Sequence, residues 1–589
     1  MDGIPTALAY LGEELWIGGD WCLNVVRKDG YTVDRVAGTQ GLPVGNITSL
    51  HSTETELWIG TTQGLARMEL GIGDGPYSQW RFFAGDRWLP GNNNVTSLSV
   101  SSTANGSVSS VVWVATDYGL ASISIQQNKL SNKAEMYTKN IPIVSRHGWV
   151  AAGDLAKYGD VSSIYLHAGD NDGLWTGMLV SGLIYQYALT KSKVAKDLAW
   201  KHYAAVEFLH NVTNTHGFIA RTALMCNESH GGGDSGVCPK GSPNNCGWVN
   251  SSVCYNGVDN EDQTDCCWTW KRDTSSDEVT GHFFTMLQAW MFLAENQSEK
   301  DRVAEKLCNT AEYLLDGNLQ FIDPISKKGT SWGYWDPEQL NGVPGKPNER
   351  GENSLEVLGF LAAATKICGH NSTRFADTFA SLVRDHQYDI NVINAMATSP
   401  QSLAFFDFRL AFMSFHTLTI ALPDIMLANG TGYDPIIPLT KEEQLLFRSR
   451  MHQSVERYWN DKSTGGTVNA ENNWDAGMSL MYQRMIGKQG MSDPKWQLKR
   501  YPTDLTMWPN QNSKRWDITL VKDWLIYPNN QLVVQESLPA DEAFGWADDM
   551  TEGSNGGVDL ITSETRYQAP GPFLLIYWMQ EYYEGTTIL

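Results

Sequence analysis

Residues 272–284 read RDTSSDEVTGHFF. Short polar residues and three carboxylates, Asp273, Asp277 and Glu278, lead straight into an apolar run from Phe283 to Leu293. A helix N-terminus has this composition, because side-chain oxygens satisfy the free N–H groups and negative charge complements the dipole. A helix beginning near Ser275 sets Glu278 and His282 four residues apart, on one face. Taken alone, the acids need do no more than cap. Five other stretches open in the same way, and that recurrence decides the fold. They begin at Asp170-Asn171-Asp172-Gly173-Leu174-Trp175, at Glu349-Arg350-Gly351-Glu352-Asn353-Ser354, at Ser399 to Phe405, at Glu471-Asn472-Asn473-Trp474-Asp475, and at Ala569-Pro570-Gly571-Pro572-Phe573.

Each opening runs into a helix that is apolar nearly all round, such as LWTGMLVSGLIYQYAL (174–189) or SLEVLGFLAAATKI (354–367). Helices of that kind are buried. Between them lie charged, amphipathic segments at Lys191–Leu209, Ser298–Leu315 and Lys441–Tyr458, which predict half-exposed helices. About six alternations of buried and half-exposed helix predict an (α/α)6 toroid over 146–589, with six inner helices ringed by outer ones.

The chain has 589 residues, far beyond one typical core, so two or more domains are expected. Residues 1–145 carry a repeat: Leu15-Trp16-Ile17-Gly18-Gly19, Leu57-Trp58-Ile59-Gly60-Thr61 and Val112-Trp113-Val114-Ala115-Thr116. The second and third copies continue as Gln63-Gly64-Leu65-Ala66 and Tyr118-Gly119-Leu120-Ala121. Alternating apolar residues between glycine turns predict short antiparallel strands. The repeat resembles the propeller repeat of sensor domains in bacterial two-component regulators. Propellers typically need four or more blades, so three copies imply either blades further upstream or an open sheet packed on the next domain; a partial β-propeller is the favoured reading, with a supporting or lid role ahead of a binding one.

A net charge of −22 disfavours nucleic acid and anionic membranes as partners, since both need basic patches. No run of 18 or more apolar residues is present to span a membrane. The first residues, MDGIPTALAY, lack the basic and apolar regions of a signal peptide, so the sequence is either trimmed or not secreted. Other features favour secretion and N-glycosylation. Nine N-x-S/T triplets occur, at Asn46, Asn94, Asn105, Asn211, Asn227, Asn250, Asn296, Asn371 and Asn429. Six cysteines crowd between Cys226 and Cys267, which predicts an irregular disulfide-rich insertion at about 226–267. Without a C-x2-C pair, a zinc site there is the weaker reading. Cys308 and Cys368 fall on apolar helical patterns, as buried thiols or a bridge. Alternating oxygen ligands from Asn256 to Asp262 favour a solvated loop over a calcium site. No metal or cofactor is expected.

In a toroid the inner N-termini converge at one end, bringing their dipoles and the side chains of each opening together. The expected basin holds Asp172, Asp277, Glu278, His282 and, from a preceding loop, His216 as catalytic candidates. Around them stand Trp175, Arg221, Asp273, Trp335, Arg350, Glu352, Asn353 and Trp474 as substrate-binding candidates. Aromatic faces with carboxylates suit sugars: rings stack on pyranose C–H faces, and carboxylates bond hydroxyls or transfer protons.

The blocks DNDGLWTGM (170–178), HGFIART (216–222), DTSSDEVTGHFF (273–284), GTSWGYWDPEQLN (329–341), ERGENSLEVLGFL (349–361), DLTMWPNQNSKR (504–515) and PFLLIYWMQEYYE (572–584) carry a further resemblance. In order and spacing, the stretch from about Ile141 to Leu589 resembles a helical-toroid domain of largely uncharacterised bacterial proteins, often found behind the same propeller repeats. The kinship implies the fold and no established reaction. At fold level it is similar to (α/α)6 glycoside hydrolases and polysaccharide lyases, an analogy that implies a carbohydrate substrate. One departure stands out. The family pattern has an acidic pair before Leu-Ala-Phe, whereas Ser399-Pro400-Gln401-Ser402 here holds no acid.

Three readings follow. A hydrolase would use Glu278 or Asp277 as general acid with Asp172 opposite, although an acid at a helix N-terminus needs burial to stay protonated. A lyase or epimerase would draw on His216, His282, Arg221, Arg350, Asn353 and Tyr334 to remove and stabilise an α-proton. A non-catalytic glycan-binding or matrix protein is the third. Acids outnumber bases at the openings, which favours hydrolysis.

Overall fold

The architecture is that of a computed structural model, which describes residues 4–37, 42, 45–70, 80–102, 108–126, 128–157, 159–225, 228, 247–254, 267–342, 349–394, 405–460, 476–487, 494–506, 520–522, 532–534 and 566–587. The chain is mixed in class, with antiparallel sheets first and helices after. Strands β1 (Ala7–Leu11), β2 (Glu14–Gly18), β3 (Leu23–Val26) and β4 (Val33–Val36) form an up-and-down sheet. Strands β5 (Ile47–Ser52), β6 (Glu56–Thr61), β7 (Gly64–Glu69) and β8 (Trp80–Phe83) form a second. Strands β9 (Val95–Ser102), β10 (Val108–Thr116) and β11 (Gly119–Gln126) form a third.

The three expected repeat copies lie on the second strand of each sheet. Successive residues point to opposite faces, so each copy feeds two junctions. Leu57 and Ile59 join Trp16, Leu23 and Val25 in the core between the first two sheets. Trp58 joins Val112 and Val114 between the second and third. The first strands of neighbouring sheets touch, β1 against β5 and β5 against β9.

Helices begin with α1 (Leu130–Asn140), earlier than the expected switch near residue 146. Its sequence, LSNKAEMYTKN, is too polar to announce a helix, yet α1 packs on later helices and belongs with them. Short strands follow: β12 (Ser145–Arg146), β13 (Trp149–Val150), β14 (Gly153–Leu155) and β15 (Ile164–Tyr165). Then come α2 (Asp172–Thr190) and α3 (Lys193–Asn211). Strands β16 (Thr222–Leu224), β17 (Trp248–Cys254) and β18 (Cys267–Lys271) form one antiparallel sheet at the foot of the Cys-rich segment. Cys267 is disulfide-bonded, and most of the remaining segment lies outside the described residues.

Helices α4 (Ser276–Gln288) and α5 (Gln297–Asp316) are followed by β19 (Gln320–Ile322) and β20 (Gly329–Tyr334). Next are α6 (Pro337–Asn341), α7 (Arg350–Ile367), α8 (Ser372–Arg384), α9 (Tyr388–Val392), α10 (Phe405–Ala421) and α11 (Pro423–Met426). The chain ends with α12 (Lys441–Asn460), α13 (Ala476–Ile486), α14 (Pro494–Lys499), strands β21 (Leu520–Lys522), β22 (Leu532–Val534) and β23 (Arg566–Tyr567), and α15 (Gly571–Thr587).

Helices α2, α4, α7, α10, α13 and α15 start at or just after the six expected openings. The openings at 399–404 and 471–475, Trp474 among them, lie outside the described residues. Helix α2 packs on α4, α4 on α7, α7 on α10, α10 on α13, α13 on α15, and α15 on α2. Several run in one direction. Near their starts, the Arg409 guanidinium of α10 lies 4.4 Å over the Trp175 ring of α2. Near their ends, Tyr185 of α2 contacts His416 of α10 at 3.0 Å and Tyr583 of α15 at 2.9 Å. No helix among the described residues is long and apolar enough to cross a membrane.

Cys308 of α5 and Cys368, just past α7, form a disulfide across a sequence separation of 60. Closing that loop restricts the unfolded chain, by roughly 4 kcal/mol in the chain-entropy model. The double variant Cys308→Ser, Cys368→Ser is expected to unfold at a clearly lower urea concentration than the oxidised protein. Under a reductant, which also opens the Cys267 bridge, wild type and double variant should share one midpoint.

Candidate functional site

Ser275 caps α4, its hydroxyl accepting the Glu278 N–H at 3.5 Å. Ser-x-x-Glu usually closes on itself, the Glu reaching back to the cap residue. Here Glu278 instead crosses to the neighbouring helix. Its two carboxylate oxygens accept the Gly173 N–H at 2.9 Å and the Leu174 N–H at 3.1 Å, satisfying free donors at the start of α2. A Cβ on Gly173 would overlap both Glu278 Oε1 and His282 Nε2, so only glycine admits the carboxylate.

His282 Nε2 lies 3.0 Å from Glu278 Oε1, as the four-residue spacing implies, and His282 Nδ1 lies 2.8 Å from His210 Nε2. Thr310 Oγ1 stands 3.5 Å from His210 Nδ1. With Glu278 ionised, the donors run one way: Thr310 to His210, His210 to His282, His282 to Glu278. Burial and the nearby His282 push the His210 imidazole well below its usual range, so it stays neutral. Burial pushes the Glu278 carboxyl up, against the opposing pull of His282 and the Leu174 N–H. Glu278 and His282 are fully buried.

Asp172, the first residue of α2, is spent in the same way. Arg146 Nη2 donates to its Oδ2 at 2.8 Å, the Thr222 hydroxyl donates at 2.5 Å, and the Gly169 N–H donates to Oδ1 at 3.3 Å. Arg146 also donates to Glu228 at 3.2 Å, and His147 Nε2 lies 2.8 Å from the same carboxylate. Burial opposes the Glu228 charge, but the His147 contact, Arg146 and the Met225 N–H outweigh it and bring its pKa down to about 2.

Asp277, one residue before Glu278, turns the other way, toward α7. It is only half-buried. At the start of α7 stands Glu349, also half-buried; burial and then the Asp277 charge raise its pKa to about 7. One and two turns further on, Glu352 and Glu356 are buried. Trp335 Nε1 donates to Glu356 Oε2 at 2.7 Å and the Thr280 hydroxyl to Oε1 at 2.9 Å. Burial dominates nevertheless, and with the charges of Asp277 and Glu349 it raises the Glu356 pKa to about 8. Glu349, Glu352 and Glu356 follow i, i+3, i+7 spacing, a carboxylate stripe on an otherwise apolar helix. That stripe was readable, and Glu356 was overlooked because it falls inside the apolar run rather than at its opening.

The remaining candidates frame this corner. Asp273 Oδ1 accepts the Ser331 N–H at 2.7 Å, tying β20 to the start of α4. Arg221 Nη2 donates to Asn171 Oδ1 at 3.0 Å, and the Ser275 hydroxyl donates to the same oxygen at 2.9 Å. Asn353 Nδ2 donates to the Tyr334 carbonyl at 2.9 Å, and Arg350 Nε to the Leu340 carbonyl at 2.5 Å. Trp175 is half-buried beneath Arg409, whereas Trp335 is fully buried and faces Glu356 rather than solvent. The exposed tryptophan is its neighbour on β20, Trp332, at 52% exposure. His216 is exposed in the turn after α3, outside the carboxylate cluster. No group of three or more His, Cys, Asp or Glu among the described residues could hold a metal ion. No protein-family model matches the chain, and no curated protein does.

Two predictions follow from this geometry. Glu278→Ala orphans two backbone donors and one imidazole N–H, and Gly173→Ala expels the carboxylate. Each is expected to cost roughly 3 kcal/mol of stability, read from urea midpoints. The second concerns pH. Glu349 and Glu356 have folded pKa values near 7 and 8, above the 4.5 of a free glutamate. A raised carboxyl favours the folded state when protonated, so stability is full below about pH 4.5 and falls as pH rises through 7 and 8. Glu356→Gln mimics the neutral form and should lose less stability between pH 5 and 9, by an amount on the order of 3 kcal/mol. Parallel declines in variant and wild type would contradict it.

Proposed function

We propose that the helical part is an (α/α)6 toroid, and that the end where α2, α4 and α7 begin is the active site of a secreted glycoside hydrolase acting on a polysaccharide or oligosaccharide. The observation that carries the reading is Glu349, a half-buried carboxyl raised to about 7 with Asp277 among the causes. A carboxyl held protonated near neutral pH with a second acid nearby is what acid-assisted glycoside cleavage needs. Glu349 donates its proton to the glycosidic oxygen as the C–O bond breaks. Asp277, in the first turn of α4, attacks the anomeric carbon or activates the water that does. Glu356 stays neutral behind them, sparing the site a third charge. Trp332, exposed on β20, offers a ring face to a pyranose.

This reading keeps Asp277, one of the catalytic candidates, and adds Glu349 from the start of α7. Asp172, Glu278 and His282 were expected to be catalytic; their burial and full use as hydrogen-bond partners make them positioning groups. Elimination is less favoured, because of its two candidate histidines His282 is sealed from solvent and His216 lies outside the carboxylate cluster. Secretion is supported by the disulfide and by the sequons. Asn46, Asn211, Asn250, Asn296 and Asn429 are exposed, and Asn94 and Asn371 half-buried.

The test is release of reducing ends from a panel of neutral and acidic polysaccharides. Wild type should cleave at least one, with kcat/KM falling as pH rises through about 7, and Glu349→Gln and Asp277→Asn should each lose roughly 10²–10⁴-fold in kcat. Products with the ultraviolet absorbance of an unsaturated uronate would identify a lyase instead. Full activity in Glu349→Gln would discard the assignment.

A further inference from the structure

The N-terminal repeat has a polarity. In the second sheet, Leu57 and Ile59 face the first sheet and Trp58 faces the third. In the first sheet, Trp16 faces the second, so Leu15 and Ile17 face away from it. By strand register they share that outward face with Leu8, Tyr10 and Val33. Leu8 is 62% exposed and Tyr10 67%; Val33 is 51% exposed where its counterpart Trp80 in the second sheet is 4% exposed. At the other end, Val112 and Val114 face the second sheet and Trp113 faces outward, 47% exposed where Trp58 is fully buried. The stack therefore ends on one side in a face where Leu8, Tyr10 and Val33 are exposed and Ile17 is buried, and on the other in a tryptophan face. Those are the two complementary faces already joined twice within the chain.

We propose that the occupant of each face is a second copy of this chain, joined head to tail: the first sheet of one copy packs on the third sheet of the other, and the reverse. Two copies of three sheets make six, within the range at which propellers close, and a two-fold axis lets the unlike faces meet twice with none left over. The tryptophan face of the third sheet carries serines (Ser99 and Ser122 flank Trp113 in register), but polarity does not bar it from a junction. Arg67 is buried and ion-paired with Glu56 on the matching face of the second sheet.

Sedimentation of the full chain at micromolar concentration should give twice the monomer mass. Tyr10→Glu and Trp113→Glu, both at exposed positions, should each weaken self-association at least 100-fold while leaving the circular dichroism spectrum unchanged. Mixing the two variants should restore dimers, because a mixed dimer keeps one junction with both faces intact. Leu8→Glu and Leu120→Glu are the substitutes on the same faces should either variant misfold. A monomeric wild type, as when further sheets of a longer chain cover these faces, would overturn the proposal. So would a dimer broken by Tyr10→Glu and indifferent to Trp113→Glu, which would mean first sheet on first sheet. These readouts involve no polysaccharide, so they stand apart from the hydrolase reading.

Discussion

The helical part depends on a carboxylate lent from one helix to another. Buried helix starts leave N–H groups that must find acceptors. For α2 the acceptor is not its own cap: Asn171, the residue ahead of it, makes no capping bond. Glu278 supplies it from α4, and Gly173 gives it room. The same glycine logic continues down the pair. A Cβ on Gly177 would overlap the Thr285 hydroxyl, and one on Gly281 would sit 2.6 Å from the Leu174 Cα. Helices that approach this closely lock their register, so the residues at their starts are placed to within a fraction of a turn. A buried ion is usually a poor source of stability and a good source of uniqueness; here it fixes which residues face the cluster.

That register sorts the acids. Asp277 and Glu278 are adjacent, and the helix turns about 100° between them. One side chain goes to α2 and is consumed as scaffold; the other faces α7, where Glu349 and Glu356 wait. The imidazoles behind extend the same anchor outward, from α4 through His282 to His210 on α3 and on to Thr310 on α5. A second chain of charges, Asp172 to Arg146 to Glu228, ties α2 to the sheet beside it.

Much of this was legible in the sequence. Six polar openings ahead of all-round apolar runs marked where α2, α4, α7, α10, α13 and α15 begin, since burial on every side leaves no amphipathic pattern to misread. The Glu278–His282 contact followed from spacing alone. What could not be read is which helix a side chain serves. Ser275-x-x-Glu278 is a local capping pattern, and only the approach of α2 diverts the carboxylate. Trp335 looked like a sugar platform because tryptophans in loops often are; its indole N–H is instead consumed by Glu356, and Trp332 beside it carries the exposed ring. Helix α1 escaped because its stability comes from packing and not from pattern.

The two halves of the chain meet through polar contacts on a shared segment. The β sheets keep cores of their own, separate from the helical core. Arg500 Nη1 donates to the Trp80 carbonyl at 3.2 Å, and Arg87 Nη2 to the Asp504 carbonyl at 3.2 Å. Within the helical part, Lys133 of α1 holds the same segment, donating to the carbonyls of Leu498, Lys499 and Tyr501 at 3.3, 2.9 and 2.6 Å and closing the end of α14. Cations on carbonyls satisfy the ends of irregular backbone, but they join little apolar surface. Among the described residues, the sheets are joined to one another by apolar cores and to the helical part by these polar contacts.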